Sequence, residues 1–193
     1  GSAGFGGLRV PTFTTDDEYC SSPVDLEDIF GATASLIDQP EFTIAACINM
    51  TNDSTATEHF LKLYNNELPG HDKVLLGKGR DGILINMSAD SNFSITSTGF
   101  TQNTAHTLVV TVGQTVGVDY RLHAWLDGAI LHWDDTTFNY YSMPNSPWAI
   151  DILQAKISAG WVGNVAEVIV YKGEFTEAEA IEVHEFFETR WDL

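Results

Sequence analysis

The 193-residue chain predicts an all-β fold: an antiparallel two-sheet jelly-roll sandwich closed by one short C-terminal helix. Three observations carry that prediction. Strand-like apolar stretches recur at short spacing, clusters of Asn, Asp, Gly, Pro and Ser separate them, and helical periodicity is confined to the C-terminal end.

In chain order the strand-like stretches are "FTIAACINM", "HFLKLYN", "GILINMSA", "NFSITST", "HTLVVTVG", "YRLHAWLD", "AILHWDD" and "GNVAEVIVYKG". Separators such as "NNELPGHD" and "SMPNSP" supply turn residues. No internal repeat is visible. With 44% apolar residues the chain can bury one sizeable core, so residues 25–193 are expected to form a single domain. Residues 1–24 precede it as an N-terminal arm and lead-in segment. The glycine-rich start of that arm, "GSAGFGG", is expected to be mobile or to order on a partner.

The stretch "YRLHAWLDGAILHWDD", residues 120–135, reads as a hairpin. Asp127-Gly128 is its turn, because a type I′ turn requires positive φ at both central residues and Asp-Gly tolerates that. Counting outward pairs Leu126 with Ala129, Trp125 with Ile130, Ala124 with Leu131, His123 with His132, Leu122 with Trp133 and Arg121 with Asp134. Alternation then divides the hairpin into two faces. Leu122, Ala124, Leu126, Ala129, Leu131 and Trp133 have core composition. Arg121, His123, Trp125, Ile130, His132 and Asp134 form an aromatic, hydrogen-bonding face expected to be displayed.

The C-terminal stretch "EFTEAEAIEVHEFFETRW" signals a helix. Thr176 followed three residues later by Glu179 is a capping box, and Phe175 can staple against Ala180. Acidic Glu177 and Glu179 suit the positive helix end, and Arg190 suits the negative end. Ala180, Val183, Phe187 and Trp191 mark the face that packs on the sandwich.

Nine basic against twenty-seven acidic side chains give a net charge of −18. Such a balance repels phosphate backbones and anionic membranes, so no nucleic-acid partner is expected; no run of eighteen apolar residues occurs, so no membrane insertion is expected either. It suits a solvated surface. Cys20 and Cys47 can close one disulfide or stay as buried thiols, and the strand context of Cys47 favours the thiol. Asn49, Asn52, Asn86 and Asn92 each begin an Asn-x-Ser/Thr triplet, which matters only in a glycosylating pathway. The N-terminal Gly1-Ser2 carries no information on localisation.

Three stretches bear a resemblance to known domains. "PEFTIAACINM" is similar to the early strand, "YRLHAWLDGAI" to a strand ending in an Asp-Gly hairpin, and "GWVGNVAEVIVYKGEFTEAEAIEVHEFFETRW" to the closing strand, turn and helix of the concanavalin A-like lectin/glucanase superfamily. Within it the chain resembles the laminin-G-like jelly-roll domains of phage virion and microbial extracellular proteins. The resemblance spans residues 40–193. It implies non-catalytic binding or adhesion.

Catalytic residues are not expected. Glycosidases of the superfamily use acidic residues alternating on one strand, whereas the candidates here are Asp25 with Glu27 in "VDLED" and Asp151 alone in "AIDIL". No Gly-x-Ser-x-Gly, His-Glu-x-x-His, phosphate-loop or dinucleotide pattern is present. His123 opposite His132 offers two imidazoles to zinc or nickel, with only Asp134 as an obvious third ligand, so no metal site is assigned. Asp16, Asp17, Glu18, Asp90 with Asn92, and Asp134 with Asp135 are oxygen donors for a structural calcium, without EF-hand spacing. No other cofactor is expected.

What remains is the polar face of the hairpin. Arg121, His123, Trp125, His132 and Asp134 are the residue types that bind sugars, an aromatic plane for stacking and polar groups for the hydroxyls. The expectation is a recognition module at a virion surface or outside the cell, glycan- or receptor-binding in a phage tail or fibre. The alternatives are a capsid decoration or assembly protein and a secreted adhesion module. Expected partners are a host cell-surface glycan, other virion subunits, or a second copy of the chain.

Overall fold

The computed structural model describes residues 5, 12–14, 20–21, 41–51, 58–65, 72–79, 82–87, 100–114, 119–139, 153–159 and 162–193. Among them are eleven strands and one helix. The strands are β1 (Thr12–Phe13), β2 (Cys20–Ser21), β3 (Phe42–Met50), β4 (Glu58–Asn65), β5 (Asp72–Gly79), β6 (Gly82–Met87), β7 (Ala105–Gln114), β8 (Asp119–Leu126), β9 (Ala129–Asn139), β10 (Leu153–Ala159) and β11 (Gly163–Lys172). The helix, α1, runs Glu177–Trp191.

The strands form two antiparallel sheets. One has the order β1-β11-β3-β7-β8-β9, the other β2-β10-β4-β5-β6. The all-β two-sheet sandwich with a C-terminal helix is therefore the observed fold. β5 and β10 were not foreseen, because "DKVLLGKG" and "LQAKISA" lack the dense β-branched or aromatic pattern that marks a strand.

Alternation builds the core between the sheets. On β3, Phe42, Ile44, Ala46, Ile48 and Met50 point inward and join Leu108, Val110 and Val112 of β7 and Leu122, Ala124 and Leu126 of β8. From the opposite sheet come Phe60, Leu61, Leu76, Ile83 and Ile85. A fully buried side chain of this size contributes roughly 1.5–3 kcal/mol relative to exposure.

Part of the outer face of the six-stranded sheet is also buried, where α1 covers it. A second cluster unites Ala45, Cys47, Val109 and Trp125 with Ala180 and Phe187 of α1, while Phe175, Val183 and Trp191 pack around them. Small Ala45 and Cys47 let the helix sit close. The helix begins as its sequence requires: the Thr176 side chain accepts from the Glu179 backbone N–H at 3.3 Å, and the Glu179 carboxylate accepts from the Thr176 N–H at 2.8 Å. The bond from the Thr176 N–H, with a second from the Thr176 hydroxyl at 2.8 Å, holds the Glu179 carboxyl below its usual range. Asp192, at φ 50, ends the helix in the left-handed region.

A β-bulge fixes the other end of α1. Val165 and Val168 both pack into the sandwich core although they are three residues apart, because the β11–β3 register shifts between Val165 and Glu167. The extra residue turns Glu167 to the helix side. There its Oε2 accepts from Trp191 Nε1 at 3.1 Å and pairs with Arg190 Nε at 2.8 Å.

The N-terminal stretch departs from expectation at one residue. Phe5 is fully buried in the cluster beneath α1 and meets the Trp191 ring edge-on. An apolar ring in a glycine-rich segment is its anchor, so the arm is tied to its own domain there. β1 and β2 likewise pair with β11 and β10. Cys47 is a buried free thiol, and desolvation, helped by the nearby charges of Glu167 and Asp127, pushes its pKa up to about 12. Asn49 is buried in β3 and so is no glycosylation acceptor in the folded chain.

Candidate functional site

The Asp127-Gly128 turn is present, with φ of 51° and 72°. Asp127 secures it: its Oδ1 accepts from the Thr107 N–H at 2.9 Å and its Oδ2 contacts His106 Nδ1 at 2.7 Å. Beyond the turn the first two expected pairs form, Leu126 with Ala129 and Trp125 with Ile130. Then the register shifts between Trp125 and Ala124, and Leu131 becomes a bulge residue. One inserted residue exchanges the two faces of everything that follows on the strand.

The exchange corrects the expected site. His132 now stands opposite Ala124, on the core-facing side, and Trp133 opposite His123, on the outer side. His123 and His132 therefore lie on opposite faces and cannot share a metal ion. Among the described residues no three His, Cys, Asp or Glu side chains come together as a metal set. Asp134 stands opposite Leu122 rather than Arg121, and its side chain lies outside the described residues. So do Asp16, Asp17, Glu18, Asp25, Glu27, Asp90, Asn92 and Asp151, together with the side chain of Asp135.

Trp125 is 1% exposed beneath α1 and His123 is 5% exposed. The face expected to be displayed is thus largely roofed. The Trp125 indole N–H meets no acceptor among the described residues; its ring makes T-shaped contacts with His123 and Trp133 at 6.1 and 6.0 Å. Trp133 takes over the exposed role, at 46% exposure.

Two rows of residues across the sheet build the site. Register aligns Thr43, Thr111, His123 and Trp133 from β3 to β9. Beside them Gly113 on β7 is opposite Arg121 on β8. The segment 173–176, between β11 and α1, lies across both rows. It is pinned by the two threonines, whose hydroxyls are 2.8 Å apart and both accept from the Phe175 N–H, at 3.1 and 3.0 Å. The Thr43 hydroxyl also donates to the Gly173 carbonyl at 2.9 Å.

Pinning this segment places Glu174. Its carboxylate lies over Gly113, in space that a β-carbon would fill. It receives Arg121 in a two-point clamp, Nε to Oε1 at 2.5 Å and Nη2 to Oε2. A bidentate, partly buried pair of this kind is stronger and more directional than a surface ion pair. His123 Nδ1 lies 3.9 Å from the same carboxylate. The His123 ring in turn carries Trp133, stacked at 3.7 Å between centroids and 11° between planes.

The outcome is an open cleft of about 330 Å³ lined by Arg121, His123, Trp133, Glu174, Phe175, Thr176 and Glu177. Its floor is held by the Thr43, Thr111 and Arg121 bonds to segment 173–176, and its Trp133 wall is an exposed indole. Of the residues expected from the sequence to bind a ligand, Arg121 and His123 line the cleft; Trp133, expected in the core, lies on the outer face, and Phe175, Thr176 and Glu177, expected only to start the helix, line the cleft too. Glu174 went unnoticed. Gly113 inside a strand was the available signal, since such a glycine marks close approach by another group.

No protein-family model and no curated protein matches the chain. Solved structures do. Trypanosoma rangeli sialidase matches with a TM-score of 0.55 at 12% identity over 75% of this chain, which spans only 22% of that enzyme. Domain 4 of AbnA, a GH43 extracellular arabinanase from Geobacillus stearothermophilus, in complex with arabinotriose, matches with a TM-score of 0.55 at 12% identity, covering 77% of this chain and 68% of that one. The Ruminococcus gnavus IT-sialidase CBM40 bound to α2,3 sialyllactose gives 0.53 at 17% identity, covering 75% and 83%. At these identities the likeness is one of fold, a two-sheet β-sandwich.

Proposed function

We propose that the chain is a non-catalytic glycan-binding module. One observation carries this reading: an exposed indole, Trp133, held flat on His123 beside the Arg121–Glu174 clamp in an open cleft. An aromatic platform takes the C–H face of a sugar, and fixed polar groups orient its hydroxyls. Both oxygens of Glu174 engage Arg121, so it is built as a clamp rather than as a nucleophile. Support comes also from the neighbours of like fold that hold arabinotriose and sialyllactose.

The original ligand set is revised accordingly. Arg121 and His123 stay, Trp133 replaces Trp125 and His132, and Asp134 is left at the neighbouring position on β9. Placement outside the cell or on a phage tail or fibre rests on the sequence resemblance. No helix among the described residues is long and apolar enough to cross a membrane. The decoration or assembly reading loses one argument, because Phe5 anchors the glycine-rich arm within its own domain. A glycan array tests the proposal when run with an assay for released reducing ends on the same sugars. Binding without turnover is expected; turnover, or no retained glycan, contradicts it.

A further inference from the structure

Resting on the reading of the cleft as a glycan site, we infer that it takes neutral sugars and rejects carboxylate-bearing ones, sialylated or uronic. The reason is the charge balance of the lining. A site that reads a carboxylate offers it a guanidinium fork. Here the guanidinium lining the cleft, Arg121, already presents Nε and Nη2 to Glu174. A second carboxylate, exposed Glu177, stands at the rim on the first residue of α1. Among the described lining residues, one guanidinium against two carboxylates leaves the balance negative.

The helix N-terminus does not reverse this. Its N–H groups would ordinarily favour an anion, but the Thr176 and Glu179 N–H groups are bonded within the capping box. Glu177 and Glu179 set their own negative charges on the positive end of the helix. At longer range the −18 charge of the whole chain also repels anionic ligands. A neutral sugar meets none of these costs. It finds the Trp133 plane, the outer edges of the Arg121–Glu174 pair and the Thr176–Glu177 rim as hydroxyl partners.

The test is a paired array of neutral oligosaccharides, each beside its uronic or sialylated counterpart, probed with the full chain, with Trp133→Ala and with Glu177→Gln. The neutral member of a bound pair should be preferred by about tenfold or more, equivalent to about 1.4 kcal/mol. Its retention should vanish in Trp133→Ala. The preference should narrow in Glu177→Gln and at about 1 M salt, where charge effects reach only about 3 Å. Equal or tighter retention of the acidic member, lost in Trp133→Ala, would overturn the charge selectivity while leaving the glycan site in place. Retention unaffected by Trp133→Ala, or no retention at all, would overturn the glycan reading and this inference with it.

Discussion

The carboxylate of Glu174 occupies the space that a β-carbon would take on Gly113. The relation joins a strand interior to a loop 61 positions later in the chain, and the site depends on it. With the Glu174 slot filled, the carboxylate must swing out and release Arg121. Gly113→Ala is therefore expected to destabilise by about 1–3 kcal/mol through overpacking, measured by denaturant melts, and to weaken sugar binding. A variant as stable and as active as the native chain would show that the slot is not needed.

The closing helix makes a second, graded prediction. Thr176→Ala removes the cap acceptor and should cost about 0.5–2 kcal/mol, whereas Phe187→Ala opens a cavity under α1 and should cost about 3–5 kcal/mol. Thr176→Ala should also let the Glu179 carboxyl rise part of the way to its ordinary pKa, read by NMR titration, because one of its two bonds to Thr176 is lost. A larger loss from the cap than from the phenylalanine would mean that α1 does not pack through Phe187.

Trp125 belongs with the core leucines. Its burial predicts that Trp125→Ala costs about 3–5 kcal/mol, alongside about 2–5 kcal/mol for Leu122→Ala. Trp125→Phe should lose far less than Trp125→Ala, because it keeps most of the ring and removes an indole N–H that meets no acceptor among the described residues. A Trp125→Ala variant that melts like the native chain would contradict the helix-covered arrangement.

What the sequence made legible was local. The Asp127-Gly128 turn, the pairs on either side of it and the capping box at Thr176 are each set by residues within a few positions of one another. The strand-like runs "FTIAACINM" and "HTLVVTVG" that form β3 and β7 were equally plain. The bulge at Leu131 was not legible, since an inserted residue leaves no mark in composition, and one residue is enough to send Trp133 outward and His132 inward. Nor could local pattern show that α1 roofs Trp125. That depends on contacts spanning more than fifty positions, as does the pairing of Arg121 with Glu174 in place of the expected Asp134.

Cys47 offers a check on the buried layer under α1. Its thiol is pushed from the ordinary 9.0 to about 12. Above pH 9 the unfolded chain therefore releases a proton that the folded chain keeps. Stability from this group is intact below pH 9 and is lost as pH rises toward 12. Native protein at pH 8 should resist alkylation at Cys47, and Cys47→Ala should flatten the fall in stability at alkaline pH. Rapid labelling of Cys47 under native conditions would place it outside the covered layer.

Trp133, held on His123, is the proposed sugar platform. Calorimetric titration of native chain and Trp133→Ala with the strongest array ligand, accompanied by a thermal melt of each, tests it most directly. The indole is half exposed and its removal leaves the core intact, so the melts should agree within a few degrees, while affinity falls by about tenfold or more, about 1.4 kcal/mol. Undiminished affinity in a folded Trp133→Ala variant would contradict the account.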